Sequence, residues 1–556
     1  MTALLARRMR RQQCLLACTL AILNLLWRSI NSVSAFTVPL MRVRLDTKTH
    51  DNFRETRRMR IAATPASFET FASEQMHYEE ALNDLLRNWN EDADIAFLFV
   101  GQYHADKFAE IVKMMDEKIA GDTDVVAVLG GGCIGGGSEY DSVQMSSMSL
   151  MTGILPEHSQ ADIFSLDAGK EEESIDRVEI VTEDPTNNSG RQPSYVVFAD
   201  PFSPLDQLLQ KLDEPSEKNP DIPPAVVAGG ISVPKQMNQA SLALNGKLLR
   251  PGSFVGVSFT GNVGLLAVVA QGCRPVGPTF VITEASGTVL TGLSGETAIS
   301  QLEDVANKAN EQDQELIRMG ELVCGIGSIS EGISTDLKEN RDKQGVPEED
   351  DFLIRQIMGF QPKSGSILVA AGGLKEGNTF RFHVRAAQSA KEDMDLMIQR
   401  AKTERLFASS GLLKKGSDSV SVSAGRPLAA LQISCVARGM RFFNAPNVDL
   451  KKVEALFQDG GGASTGNEAT KSDTEPSSPP IAGFFANGEI GPVGIRMAEM
   501  NAKSHKRSDG SSHGTFLHGF TTVVALLCDY SETESSLPAE GLSSDTIIST
   551  MDDAWA

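Results

Sequence analysis

Apolar positions along the chain switch between two periods, and the order of the switches predicts an α/β protein. Over 67–90 the apolar and amphipathic residues Phe71, Met76, Ala81, Leu82, Leu85 and Leu86 predict a helix. Ile95-Ala96-Phe97-Leu98-Phe99-Val100 is a short unbroken apolar run, as expected of a strand covered on both faces. Phe108, Ile111, Val112, Met115 and Ile119 return to helical spacing over 104–120, and a second buried strand follows at 124–129. Strand, helix, strand is the α/β unit. In Leu242-Ala243-Leu244-Asn245-Gly246-Lys247-Leu248-Leu249 an Asn-Gly pair between apolar runs predicts a hairpin. Ser286-Gly287 plays the same part within 279–290, and a helix is expected over 297–311 where two halves of the chain join.

The second half repeats the texture without repeating the sequence. Strands are expected at 366–371, 379–384, 428–436 and 523–527, with a Lys375-Glu376-Gly377-Asn378 turn and a helix over 390–404. The expected fold class is α/β with mixed α+β character: two sequential domains, 67–295 and 296–530, each built of mixed β-sheets flanked by helices. Residues 170–192, 335–349, 460–480, 501–514 and 531–556 are polar and rich in Ser, Gly, Asp, Glu, Lys or Pro. Such stretches bury too little apolar surface to offset the entropy of ordering, so they read as insertions and a tail.

The first 62 residues follow another logic. Arg7, Arg8, Arg10 and Arg11 precede an apolar run from Cys14 to Trp27, and Val33 and Ala35 form a small-residue site before Phe36. This is the layout of a signal peptide over 1–35, and its apolar run is shorter than the roughly 20 residues that span a bilayer. Residues 36–62 are basic and Thr-containing, as in a transit peptide. The junction Ser34-Ala35-Phe36-Thr37-Val38-Pro39 resembles the bipartite leader of algae with secondary plastids. That resemblance implies delivery to a plastid through the secretory route, with secretion or an endomembrane lumen as the alternative. The body has no further apolar stretch of membrane-spanning length, so no stable membrane insertion is expected once the leader is removed.

Charge and cysteines narrow the function classes. The formal net charge is −22 although the leader is basic, so the body is strongly acidic. Phosphate backbones are bound by cationic patches, and no nucleic-acid partner is expected. Seven cysteines contain no C-x-x-C pair, so neither a disulfide framework nor a structural zinc site is supported; no other metal and no cofactor is expected.

Candidate chemistry clusters at strand ends. Gly130-Gly131-Gly132-Cys133-Ile134-Gly135 matches a dinucleotide fingerprint in form, but the positions after it (143–151) alternate like a strand, and the pyrophosphate would need a helix there. A glycine-rich turn able to present backbone N–H groups remains, beside the plain reading of a tight turn. Cys273 and Arg274 follow the apolar run 265–270, and an adjacent cation favours a thiolate. Cys435-Val436-Ala437-Arg438-Gly439 brings a thiol, a guanidinium fork and a glycine together at the end of a strand. In Gly483-Phe484-Phe485-Ala486-Asn487-Gly488-Glu489-Ile490-Gly491-Pro492 one carboxylate, Glu489, sits between Gly488 and Gly491, which permit close approach of a small molecule. Glu489 for an amino group and Arg438 for a carboxylate is the pairing an amino acid needs. His518, in Leu517-His518-Gly519-Phe520-Thr521-Thr522, opens the strand 523–527. Each has a plainer reading: a packed thiol, a structural ion pair, a hydrogen-bonded core histidine.

Taken in order, these pieces resemble the FIST family. Residues 94–295, with the strand–helix–strand opening, Glu139 after the Gly-rich turn, and 271–278 followed by Val281-Ile282-Thr283-Glu284, look like its N-terminal domain. Residues 297–529, with Phe352-Leu353-Ile354-Arg355, Cys-x-x-Arg-Gly, Gly-Glu-Ile-Gly-Pro and His-Gly-Phe-Thr, look like its C-terminal domain. The resemblance implies a sensory module binding a small, amino-acid-like ligand, with Cys435, Arg438, Gly439, Gly488, Glu489, Gly491, His518, Cys273 and Arg274 as candidate contacts. Two other functions remain open from sequence. One is a cysteine-dependent enzyme with Cys435 as nucleophile and His518 as base; the other is a scaffold whose insertions bind proteins.

Overall fold

A computed structural model describes residues 65–119, 123–169, 174–182, 193–218, 225–327, 352–370, 374–409, 425–458, 478–492, 495–497 and 514–531. The expected signal and transit segments, 335–349, most of 460–480, 501–513 and the tail from 532 lie outside the described residues.

Three sheets surround one core. The first orders its strands Ser67–Ser73, Met148–Ile154, Ile95–Gly101, Asp124–Gly130, Leu242–Leu244 and Lys247–Leu249. The second runs Phe516–His518, Glu489–Gly491, Val226–Ile231, Ser194–Ala199, Phe254–Gly261 and Ser159–Leu166. The third runs Ile495–Met497, Val263–Ala270, Thr522–Asp529, Arg426–Cys435, Ile481–Ala486, Cys133–Gly135 and Ser138–Tyr140. Each sheet holds one parallel pair among antiparallel neighbours: Ile95–Gly101 with Asp124–Gly130, Ser194–Ala199 with Val226–Ile231, and Arg426–Cys435 with Ile481–Ala486.

Unbroken apolar runs divide by period two between this core and an outer helix layer. Ile95, Phe97 and Phe99 face the shared core, while Ala96, Leu98 and Val100 pack on the helices Tyr78–Leu86 and Phe108–Lys118. Leu265, Ala267, Val523, Ala525, Leu431 and Ile433 face the same core from the third sheet. Leu266, Val268, Val524 and Leu526 face the helix Ala387–Ser409. A bulge between Pro427 and Ala429 puts both Leu428 and Ala429 on the core side and sets the phase of everything up to Cys435.

A second assembly closes on itself. Strands Cys273–Ser286, Thr379–Arg385, Leu322–Gly327, Leu353–Gln361, Ser366–Val369 and Val289–Leu293 pair in a ring, each antiparallel to the next, and Cys273–Ser286 returns to Val289–Leu293. This six-stranded barrel has its own core of Val276, Phe280, Ile282, Leu290, Phe380 and Phe382. Strands from both sides of position 295 share the second sheet, the third sheet and the barrel, so the two halves of the sequence interleave in space. None of the described helices is long and apolar enough to cross a membrane.

Most expected elements are present, and the departures have physical causes. The span 67–90 is a strand, Ser67–Ser73, followed by the helix Tyr78–Leu86: the Phe68 ring lies over Gly153 of its sheet partner, a pairing with a distant segment that local spacing does not carry. The helix over 104–120 begins as a 3-10 turn, Gln102–Lys107, and becomes α-helical at Phe108–Lys118. The alternation at 143–151 resolves into a loop and a strand at Met148–Ile154. The Asn245-Gly246 hairpin forms, with φ of 46° and 75° at its two turn residues. The other hairpin turns one residue later than expected, because Ser286 pairs with Val289. Within the polar stretch 170–192, residues 174–182 are held in place. The Lys211 ammonium donates to the carbonyls of Ile175 and Val178, 2.8 Å each, and the Tyr195 hydroxyl to that of Val181 at 2.7 Å.

Gly230 shows how tightly the sheets meet. A Cβ there would lie 2.6 Å from Ile433 Cγ2 and 3.1 Å from Ala486 Cβ. Gly230→Ala is expected to destabilise the fold by about 1–3 kcal/mol through overpacking, read as a lowered urea midpoint.

Candidate functional site

The carboxyl ends of the three parallel pairs meet. Gly131 N–H donates to Phe485 O at 2.8 Å, Val436 N–H to Ala486 O at 2.9 Å, and Asn487 N–H to Ile231 O at 2.9 Å. In α/β sheets ligands bind outside the carboxyl ends of strands, and the candidate residues of the last 120 positions gather here. As expected, no helix follows the Gly130–Gly132 turn; Cys133–Gly135 is a strand. The turn's glycines serve packing: a Cβ on Gly130 would meet Phe484 at 2.8 Å, and one on Gly131 would meet Val436 at 2.7 Å.

Glu489, the first residue of its second-sheet strand, is fully buried where that strand meets the core side of the third sheet at Thr521. Its Oε2 accepts from the Thr521 hydroxyl at 2.8 Å and from Thr521 N–H at 3.2 Å. Among the described residues its Oε1 has no hydrogen-bond partner of ordinary geometry, although the Cys435 thiol is beside the carboxyl. Burial raises this carboxyl to about 8, against the opposing pull of Thr521 and Arg438. At neutral pH it is mostly the neutral acid. Because Oε2 already accepts two hydrogen bonds, the proton belongs on Oε1.

Arg438 engages the opposite, helix-side face. Its Nε and Nη2 grip Asp449 Oδ2 and Oδ1 at 2.7 and 2.9 Å, both side chains almost wholly buried, and its guanidinium lies 5.2 Å from the Phe443 ring centroid. Asp449 Oδ2 also accepts from Thr522 at 2.8 Å. Consecutive threonines at one strand edge thus serve the two faces, Thr521 the lone carboxyl and Thr522 the ion pair. Beyond the pair, Glu139 Oε1 accepts from Gln432 at 2.9 Å and from Leu450 N–H at 2.8 Å. Burial first, and the Asp449 charge second, raise Glu139 to about 7. The fork expected to grip a ligand carboxylate is therefore filled by Asp449. Only Nη1, at 3.4 Å from Phe520 O, is loosely engaged.

The other candidates divide. His518 is the strand partner of Glu489, but its Nε2 is bonded to Gly491 O at 3.1 Å, and burial lowers it to about 4. Rather than opening 522–529, it closes the short strand Phe516–His518 in the second sheet. Burial, and next the neighbouring Glu489, raise the Cys435 thiol to about 12. No hydrogen bond between Cys435 and His518 occurs among the described residues. Cys435 is expected to alkylate slowly in the native protein, measured by iodoacetamide labelling and peptide mass spectrometry. Cys273 is half-buried near Arg385 and Arg438, and its burial pushes the thiol up against the pull of those two cations. Arg274 points away and forms an ion pair with Asp313, in the first turn of the helix Glu311–Met319. Gly439, at φ 90°, packs against the Asp141 carboxylate, which accepts from Met440 N–H at 2.7 Å. Gly491 is a packing glycine: its Cβ would meet Val269 at 2.8 Å. A Cβ on Gly488 would lie 3.0 Å from Leu517.

Sequence reasoning gave no role to Asp449, Thr521, Thr522 or Arg385. Asp449 reads as a helix-surface acid in Val448-Asp449-Leu450. The paired threonines carried the signal that was available, since two hydroxyls opening an apolar strand have opposite faces to serve.

A mixed α+β chain that gathers buried carboxyls, a guanidinium and a thiol at its strand ends fits the design of a binding module. Residues 94–296 match the FIST N domain and residues 310–492 the FIST C domain, and the chain belongs to the FIST family. FIST domains are generally regarded as sensory, ligand-binding signalling domains. The chain is similar to "Uncharacterized protein Rv0628c" of Mycobacterium tuberculosis, 30% identical over 337 residues that cover 60% of this chain and 68% of that protein. It is also similar to "Uncharacterized protein Mb0898c" of Mycobacterium bovis, 26% identical over 440 residues, 79% of this chain and 92% of that protein.

Proposed function

We propose that the chain senses a small amino-bearing metabolite of the amino-acid class, with Glu489 as the contact that receives the amino group. The observation that carries this reading is Glu489 Oε1, a fully buried carboxyl oxygen with no hydrogen-bond partner of ordinary geometry among the described residues, on a carboxyl whose other oxygen is fixed by Thr521. A buried polar atom left unpaired costs about 1–3 kcal/mol, which a ligand donor at that position recovers. Arg438 acts on Glu489 electrostatically from the other face of the third sheet; Nε and Nη2 stay with Asp449, and Nη1, directed at Phe520 O, is the guanidinium nitrogen left for a ligand carboxylate. Gly272 leaves room for it, since a Cβ there would lie 2.9 Å from Nη1.

Calorimetry against the proteinogenic amino acids and small organic acids tests the reading. At least one amino acid is expected to bind, and Glu489→Gln is expected to weaken it tenfold or more while the fold persists. Absence of heat across the panel with folded protein, or an unchanged affinity in the variant, contradicts it.

For the leader we propose a plastid address reached through the secretory route. Its support is the basic, apolar and small-residue order of 1–35 and the basic character of 36–62. A fluorescent protein fused behind residues 1–62 and expressed in an alga with a secondary plastid is expected to reach the plastid; retention in the endomembrane system contradicts the proposal.

A further inference from the structure

Between the second and third sheets the chain crosses in three residues, Gly519-Phe520-Thr521, and this crossing is built unlike an ordinary connection. Phe520 has φ 64°, a region that bulky residues avoid and that costs of order 1–3 kcal/mol. Gly519 and Phe520 are half-buried, whereas Glu489 and Cys435 beneath them are buried. On one side of Gly519 there is open space, with no heavy atom within 4 Å of where a Cβ would stand.

The strained segment is held down from several directions. Thr521 O accepts from Cys435 N–H at 3.0 Å, and Thr521 donates twice to Glu489. Among the described residues, Phe520 O receives the long 3.4 Å bond from Arg438. The Phe520 ring lies against Arg385, whose guanidinium is 4.6 Å from the ring centroid and has Phe442 near it as well, at 5.0 Å. Arg385 is itself fixed, by Glu321 at 2.9 Å and Ala437 O at 2.8 Å. It is the last residue of a barrel strand, so the barrel holds the crossing in place.

We propose that Gly519–Phe520 is a cover over the Glu489 site, hinged at Gly519, and that Arg385 is its latch. Swinging the Phe520 ring off Arg385 releases the φ strain, breaks the long bond to Arg438 and takes the Phe520 backbone off the Cys435 thiol. Thr521 remains on Glu489, and the route to Oε1 opens. This inference rests on Glu489 as the ligand contact, but its labelling arm uses no ligand, so the two readings fail separately.

The reporter is Cys435, which lies under the cover. In the full-length protein at pH 8, iodoacetamide labelling of each cysteine is followed by peptide mass spectrometry in wild type, Arg385→Ala and Phe520→Ala. Both variants are expected to label Cys435 at least tenfold faster than wild type, with Cys133, Cys324 and Cys528 keeping their wild-type rates. Phe520→Ala removes the ring and leaves Glu321 and Ala437 on Arg385, so it reads the latch even where Arg385→Ala loosens the barrel. An unchanged Cys435 rate in both variants overturns the proposal. So does a rise of all four buried thiols together in both, which reports general loosening. Calorimetry on Phe520→Ala is the separate arm: an amino acid that still binds with Cys435 unexposed leaves Glu489 as the contact and removes the cover.

Discussion

Asp449→Ala is expected to lower folding stability by about 3–5 kcal/mol, because it strands the Arg438 guanidinium in the interior without its partner. Both side chains of the pair are almost wholly buried, and three nitrogen or hydroxyl donors converge on the Asp449 carboxylate. Two features reduce the loss. The Phe443 ring stays beside the cation. Removing Asp449 also removes a charge that holds Glu139 up at about 7, so Glu139 ionises more readily and supplies part of the missing negative charge. Urea denaturation gives the number. The double variant Arg438→Met with Asp449→Leu is expected to recover much of the loss, since an apolar pair of similar volume avoids burying charge. Equal destabilisation in the double and single variants would show that the pair does more than satisfy its own charges.

The second large effect is a pH dependence specific to Glu489. Its carboxyl titrates near 8 in the folded chain, against roughly 4.3 when unfolded, so between those values the folded state holds the proton and the unfolded state does not. The stabilisation is full below the unfolded pKa and is lost as pH rises through the folded one. Glu139 acts in the same direction up to about 7. The histidines act oppositely: burial brings His518 and His383 down to about 4, so their contribution falls as pH drops below roughly 6.5. Glu489→Gln isolates one group, because it keeps the shape of the neutral acid and cannot ionise. Between pH 5.5 and 8 the stability difference between the variant and wild type is expected to move by about 3 kcal/mol in the variant's favour. A difference that stays constant with pH means that Glu489 keeps an ordinary pKa in the fold.

The sequence is a good guide wherever structure is local. The run at 95–100, the helix Phe108–Lys118 and the Asn245-Gly246 hairpin are legible because each depends on neighbours a few positions away. The interleaving of the two halves is not legible, because Val263–Ala270 pairs with Thr522–Asp529 and Cys273–Ser286 with Thr379–Arg385. Such pairings depend on shape complementarity, as at Gly230, and leave no local pattern. A lone carboxyl among glycines and apolar residues marks Glu489 in the sequence as a candidate, and the fold buries it. The counter-ion of Arg438 is hidden, because an acid in a short amphipathic segment looks the same whether it meets solvent or a buried guanidinium. Gly491 carries the opposite lesson: its missing side chain makes room for Val269 and Val523.

Calorimetry of the tightest-binding amino acid at pH 7, repeated in two buffers of different ionisation heat, tests the role of Glu489 most directly. An ammonium group seated on Oε1 requires the carboxylate, so binding should expel about one proton per ligand, and Glu489→Gln should abolish that release and weaken binding. Binding that moves no proton and is equally tight in Glu489→Gln would place the ligand elsewhere.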